Sequence, residues 1–128
     1  MNTLRKQLGE SLSLTRTAED GGFSASLALP DSFVGFQGHF PGNPVVPGVC
    51  LVQAVLLAAE RVLGKPVRLD EVKVAKFFSP LLAGQVAEIV GNVAAVGATA
   101  EVAATLTSAG RKVAHVSLRA VVASPGGG

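Results

Sequence analysis

The sequence predicts an α+β domain in which an antiparallel β-sheet is wrapped around one central helix. Three observations carry this. Gly48 to Leu63 has helix start and stop signals, and its residues Val49 to Ala59 are apolar around almost the whole circumference, so other elements must enclose it. Two stretches with strand character precede it and four follow, separated by Gly-rich turns. After residue 63 no further helical periodicity interrupts the strands, which separates this order from an alternating parallel arrangement.

Leu12 to Thr17 and Phe23 to Leu29 alternate apolar with small polar residues, and Glu19-Asp20-Gly21-Gly22 between them reads as a turn, so the pair predicts an antiparallel hairpin. Pro30, with no N–H to give a ladder, ends the second strand. Asp31 to Pro47 is crowded with Gly, Pro and Phe without periodicity, which predicts an irregular loop of 17 residues. Loops of that length in compact domains are commonly functional or disordered, and Phe33, Phe36 and Phe40 argue for order here. Pro47 sits near the first turn of the helix, Arg61 in its last turn, Gly64 just beyond and Pro66 soon after. Val67 to Phe78, Ala87 to Val96, Ala98 to Ser108 and Val113 to Ala123 then read as strands, with Gly91, Gly97 and Gly110 as bends or turns and Ala109-Gly110-Arg111-Lys112 as a tight hairpin. Residues 1–123 are expected to form one domain, and Ser124 to Gly128 a disordered tail.

A length of 128 residues suffices for one core. Hydrophobic residues make up 48% and charged residues 16%, a charge-poor balance that predicts apolar surface covered by a partner, with a homodimer or a dimer-based higher oligomer as the expectation. A net charge of +2, no Trp or Tyr and scattered Lys and Arg exclude a nucleic-acid binder. The single cysteine, Cys50, allows no internal disulfide and no Cys-rich metal site. The first ten residues lack the apolar stretch of a signal peptide, and the longest apolar run, Val49 to Ala59, is far short of the roughly 20 residues of a membrane span. A soluble, cytoplasmic protein is expected.

The stretch Gly38-His39-Phe40-Pro41-Gly42-Asn43-Pro44-Val45-Val46-Pro47-Gly48-Val49, followed by the apolar helix, closely resembles the signature of the 3-hydroxyacyl-acyl-carrier-protein dehydratases of fatty acid synthesis. Val74-Ala75-Lys76-Phe77-Phe78-Ser79-Pro80-Leu81-Leu82-Ala83-Gly84-Gln85 resembles that family's later strand and turn, and the likeness runs from about Leu12 to Ala123. It implies a hot-dog fold, dimerised through its sheet, with two acyl tunnels at the subunit interface. It also implies an acyl carrier protein or coenzyme A thioester as substrate, with the motif His from one protomer, an acid on the central helix of the other, and the amide at the helix start, here Gly48, facing the thioester carbonyl.

Dehydration of a 3-hydroxyacyl thioester requires removal of a proton beside the carbonyl, stabilisation of the enolate-like oxygen and protonation of the departing hydroxyl. His39 suits the first role, since an unperturbed imidazole titrates at about 6.5. Gly48 suits the second, because N–H groups at a helix start lack intrahelical partners and the helix dipole favours negative charge there. At the position of the family's acid, fourteen residues after His39, stands Gln53, which hydrogen-bonds but has no dissociable proton near neutral pH. Gln53 is also the one polar side chain between Val49 and Ala59, and burying its amide unpartnered would cost on the order of 1–3 kcal/mol, which favours a pocket-facing side chain. The expected catalytic set is thus His39, Gln53 and Gly48, with no metal and no cofactor.

Pro47, Val49, Phe77 and Phe78 are expected at the acyl chain with Phe36 and Phe40 at its mouth, although plain core packing of these aromatics reads equally well. Glu60 lies seven residues past Gln53, about 10.5 Å along the axis, and reads as solvated. Asp31 and Glu88 are further acidic candidates, His115 reads as structural, and Cys50 as a small core residue. Arg61, Lys65, Arg68, Lys73 and Lys76 could meet an acidic carrier, or form an ordinary solvated face. Three activities are left in play: a dehydratase or hydratase, a thioester hydrolase, and an inactive acyl-binding or partner subunit of a heteromeric dehydratase.

Overall fold

A computed structural model of the chain describes residues 3–30, 32–33 and 45–123. The elements are α1 (Thr3–Ser11), β1 (Leu12–Thr17), β2 (Gly22–Ala28), α2 (Gly48–Leu63), β3 (Val67–Phe77), β4 (Val86–Val96), β5 (Thr99–Ser108) and β6 (Arg111–Val122). The strands form one antiparallel sheet in the order β1-β2-β4-β5-β6-β3, and α2 touches all six of them.

Alternation decides which side of each strand meets the helix. In β5 the inward residues Ala100, Val102, Ala104 and Leu106 are buried, and Ile89 of β4 and Val116 and Leu118 of β6 complete the layer under Val55, Ala58 and Ala59 of α2. Ser108, the one buried polar residue among those described, donates its hydroxyl to the carbonyl of Val86 at 2.7 Å, so its burial leaves no unmet hydrogen bond. Gly91 interrupts the inward row of β4 because a Cβ there would lie 2.4 Å from the carbonyl oxygen of Ala103 and 2.9 Å from Ala104 Cβ. The residue read as a bend thus permits the close approach of β4 and β5. The β5–β6 turn is the two-residue kind, with Ala109 at φ 51° and Gly110 at φ 77°, both left-handed as the twist of the flanking strands demands.

The helix α2 has the limits read from the sequence. Pro47, extended at φ −61° and ψ 145°, is its N-cap, and Gly64, left-handed at φ 69°, ends it by donating its N–H to the carbonyl of Glu60. α1 was not anticipated. Its apolar signal is a single pair, Leu4 and Leu8, and what holds it is distant in sequence. Leu8 is fully buried, Arg5 pairs with Glu60 at 2.7 Å, and the Arg61 guanidinium donates to the carbonyls of Gly9 and Leu12 at the C-terminal end of α1. Glu60 is therefore not the solvated residue expected, since it also accepts the Val67 N–H at 3.0 Å.

Both edges of the sheet carry irregularities. The pairing of β3 with β6 skips Asp70 and Lys73, and that of β1 with β2 skips Thr15. The skipped Asp70 accepts from Arg119 at 2.8 Å, which also reaches Glu71 at 2.7 Å, and the skipped Lys73 pairs with Glu101. Of the residues of β3 only Val67 is buried, and Val72 is 40% exposed. The expected tail, 124–128, lies outside the described residues.

Candidate active-site cleft

Two segments frame a cleft at the start of α2. The residues before the helix are tied to those after β3 by the Val45–Leu82 bridge and by the Val46 N–H, which donates to the Leu81 carbonyl at 2.8 Å. The cleft between them encloses about 600 Å³, the scale of a small-ligand site, and its lining includes Pro47, Gly48, Leu51, Phe77 and Phe78. No carboxylate lines it among the described residues.

Its floor is the helix terminus. The Pro47 carbonyl accepts the Cys50 N–H at 2.9 Å and the Leu51 N–H at 3.4 Å, so the N–H groups of Gly48 and Val49 have no carbonyl within the helix to reach. Among the described residues no acidic side chain stands in the first turn and no side chain caps it, so none of them compensates the positive end of the helix dipole. The Phe77 ring packs on the Gly48 backbone so closely that a Cβ would lie 2.8 Å from Cζ. A glycine at position 48 thus brings an aromatic wall against a polar floor. Phe77 and Phe78 stay 50% and 53% exposed, large apolar groups open to solvent beside an apolar cleft.

Pro47, Gly48, Phe77 and Phe78 are therefore brought together. Gln53 and Val49 are not among the cleft's lining residues. They sit one turn apart on a neighbouring stripe of α2, where Val49 is 64% exposed and Gln53 half-buried, with no hydrogen bond to its amide among the described residues. His39, Phe36 and Phe40, like Asp31, lie outside the described residues. Glu88 points outward from β4, and the Thr105 hydroxyl and His115 Nδ1 are 3.1 Å apart across β5 and β6. Cys50 is buried, and burial pushes its thiol above its ordinary pKa.

The sequence reading gave no role to Leu51, Pro80 or Leu81 in the lining. The helical spacing of Gly48 and Leu51, three residues apart, was the available signal. It also passed over Arg111 and Lys112, which reach the cleft wall from the β5–β6 turn. Arg111 donates to the Ser79 hydroxyl and to the Pro80 carbonyl, both at 2.9 Å, and the Ser79 hydroxyl donates to the Lys112 carbonyl at 2.6 Å. No spacing rule links residues 32 positions apart.

Residues 15–117 match the family model described as ApeI-like, ApeI dehydratase. The chain belongs to the ApeI-like family. Among curated proteins, the 3-hydroxyacyl-[acyl-carrier-protein] dehydratase FabZ of Lactiplantibacillus plantarum is 35% identical over 88 residues, which are 63% of this chain and 52% of that protein. The FabZ of Levilactobacillus brevis is 33% identical over 85 residues, 61% of this chain and 50% of that one. The chain thus spans about half the length of the curated relatives it matches. Among solved structures, the dehydratase heterocomplex ApeI:P from Xenorhabdus doucetiae superposes with a TM-score of 0.70 at 18% identity, covering 84% of this chain and 96% of that one. A hypothetical thioesterase with coenzyme A from Streptococcus pneumoniae gives 0.66 at 17% identity, covering 88% and 86%. These likenesses establish the hot-dog fold for this ApeI-like chain. No helix among the described residues is long and apolar enough to cross a membrane.

Proposed function

We propose that this ApeI-like chain is a lyase that removes water from 3-hydroxyacyl thioesters, or adds it in reverse. The observation that carries the reading is an apolar cleft whose floor is the N–H end of α2, uncapped among the described residues. The acyl chain lies against Leu51 and Phe77, and the thioester carbonyl meets the Gly48 N–H. His39 takes the α-proton, the electron pair moves onto the carbonyl oxygen held by that N–H, and its return forms the new C=C bond as the C–O bond breaks. His39 then delivers the proton to the departing hydroxyl, which Gln53 of a second copy orients, so water and a 2-enoyl thioester leave. The protein is expected to interconvert 3-hydroxyacyl and 2-enoyl thioesters, followed by enoyl absorbance, and His39→Ala to lose about 100-fold or more. An undiminished rate in His39→Ala, or no interconversion, overturns the reading.

The position of β3 at the sheet edge, with Val72 and Phe77 exposed on it, supports a dimer paired along that strand.

A second reading is favoured by one observation. Gln53 has no proton to give, and the only carboxylate on α2, Glu60, is engaged by Arg5 and the Val67 N–H. The chain then binds the acyl group while a related chain supplies the acid. Under this reading the pure protein is inert and Gln53→Glu creates activity; efficient turnover by the unmodified protein alone removes it. Hydrolysis, the remaining alternative, would release free thiol without forming an enoyl product.

A further inference from the structure

Arg111 and Lys112 present two cations at the rim of the cleft on a rigid support. Ser108 pins the β5–β6 hairpin to the Val86 carbonyl, and Arg111 and the Lys112 carbonyl grip Ser79 from either side. The Phe78 N–H donates to the Val113 carbonyl at 2.8 Å, so the hairpin is tied to the cleft wall at residues 78–80 through backbone as well as side chains. The Lys112 ammonium lies 5.2 Å from the centroid of the Phe78 ring, on an aromatic that itself lines the cleft.

Neither cation meets a carboxylate among the described residues. Both positive charges beside the cleft are thus left open among those residues. An apolar cavity with an uncompensated cationic rim fits an amphipathic ligand, an acyl chain whose carrier bears an anion a short distance from the thioester.

We infer that the β5–β6 hairpin is the phosphate-binding lip of this cleft, with Lys112 and Arg111 holding the phosphate of the pantetheine arm that carries the acyl group. The inference rests on the thioester reading above and adds the place and chemistry of the carrier contact. Arg111 spends two donors on Ser79 and Pro80 and keeps others for an anion, while Lys112 is free to swing from the Phe78 face. The second cleft of the chain, about 520 Å³ between Pro66, Ala98 and Val121, has Arg68 as its single lining cation and is no part of the lip.

Direct binding tests this without depending on turnover. Butyryl-coenzyme A, butyryl-phosphopantetheine and the phosphate-free butyryl-N-acetylcysteamine are titrated against the full chain at low salt. Lys112→Glu is expected to weaken the first two by about 10-fold, Lys112→Met by less, and to leave the third unchanged. Arg68→Glu, the same charge change at the other cleft, leaves all three unchanged. The inference falls if Lys112→Glu changes none of the affinities, if it weakens the phosphate-free thioester equally, or if only coenzyme A is affected, since the contact would then be to the nucleotide. An unmodified protein that binds phosphopantetheine thioesters through Lys112 but never dehydrates them upholds the lip and overturns the reaction instead.

Discussion

At the scale of single residues, the chemistry turns on how α2 treats its few polar or reactive groups. Cys50 is the simplest case. Burial raises its thiol pKa, so the folded chain keeps a proton that the unfolded chain releases in the ordinary thiol range. The resulting stability is full below that range and is lost as pH rises through it. Urea midpoints measured from pH 7 to 10 are therefore expected to fall more steeply for the natural chain than for Cys50→Ala; equal slopes would refute this. The residues of the candidate site were readable in the sequence to unequal degrees. Gly48 and Phe77 were, because a helix start and an aromatic strand end have local signals. The engagement of Glu60 and the approach of Arg111 to Ser79 were not, because each depends on chain segments distant in sequence.

At the scale of elements, α2 and the strands were legible to within about two residues, since caps, glycines and alternation act locally. α1 was not, because nine residues with one apolar pair make a helix only when Arg61 and the core hold it. The β4–β5 pair offers the sharpest test of packing. Gly91→Val would set side-chain atoms against the Ala103 carbonyl and Ala104, and is expected to cost about 2–3 kcal/mol, read from chemical denaturation. The β5–β6 turn offers the opposite. Ala109 is the one non-glycine residue at positive φ among those described, and Ala109→Asn, better suited to that conformation, is expected to raise stability by about 0.5–1 kcal/mol.

At the scale of the whole molecule, one chain leaves Val49, Val72, Phe77, Phe78, Val86, Val90 and Val96 largely exposed. Under the proposed pairing through β3, Tm is expected to rise with protein concentration, and Val72→Asp to shift light-scattering mass toward the monomer. A mass and Tm independent of concentration would exclude the pairing. The other edge of the sheet bears on where such assembly stops. β1 has only six residues, is bulged at Thr15, and is polar on most of its exposed positions, with Arg16 near its end. A protein with two equally receptive edges would add copies head to tail into an open ribbon, the beginning of a fibre. Under the proposed pairing β3 alone receives a like chain, and the contact is then the reciprocal one, β3 on β3. Such an isologous contact would consume itself in one step, and under that pairing the short, polar edge at β1 receives no further copy.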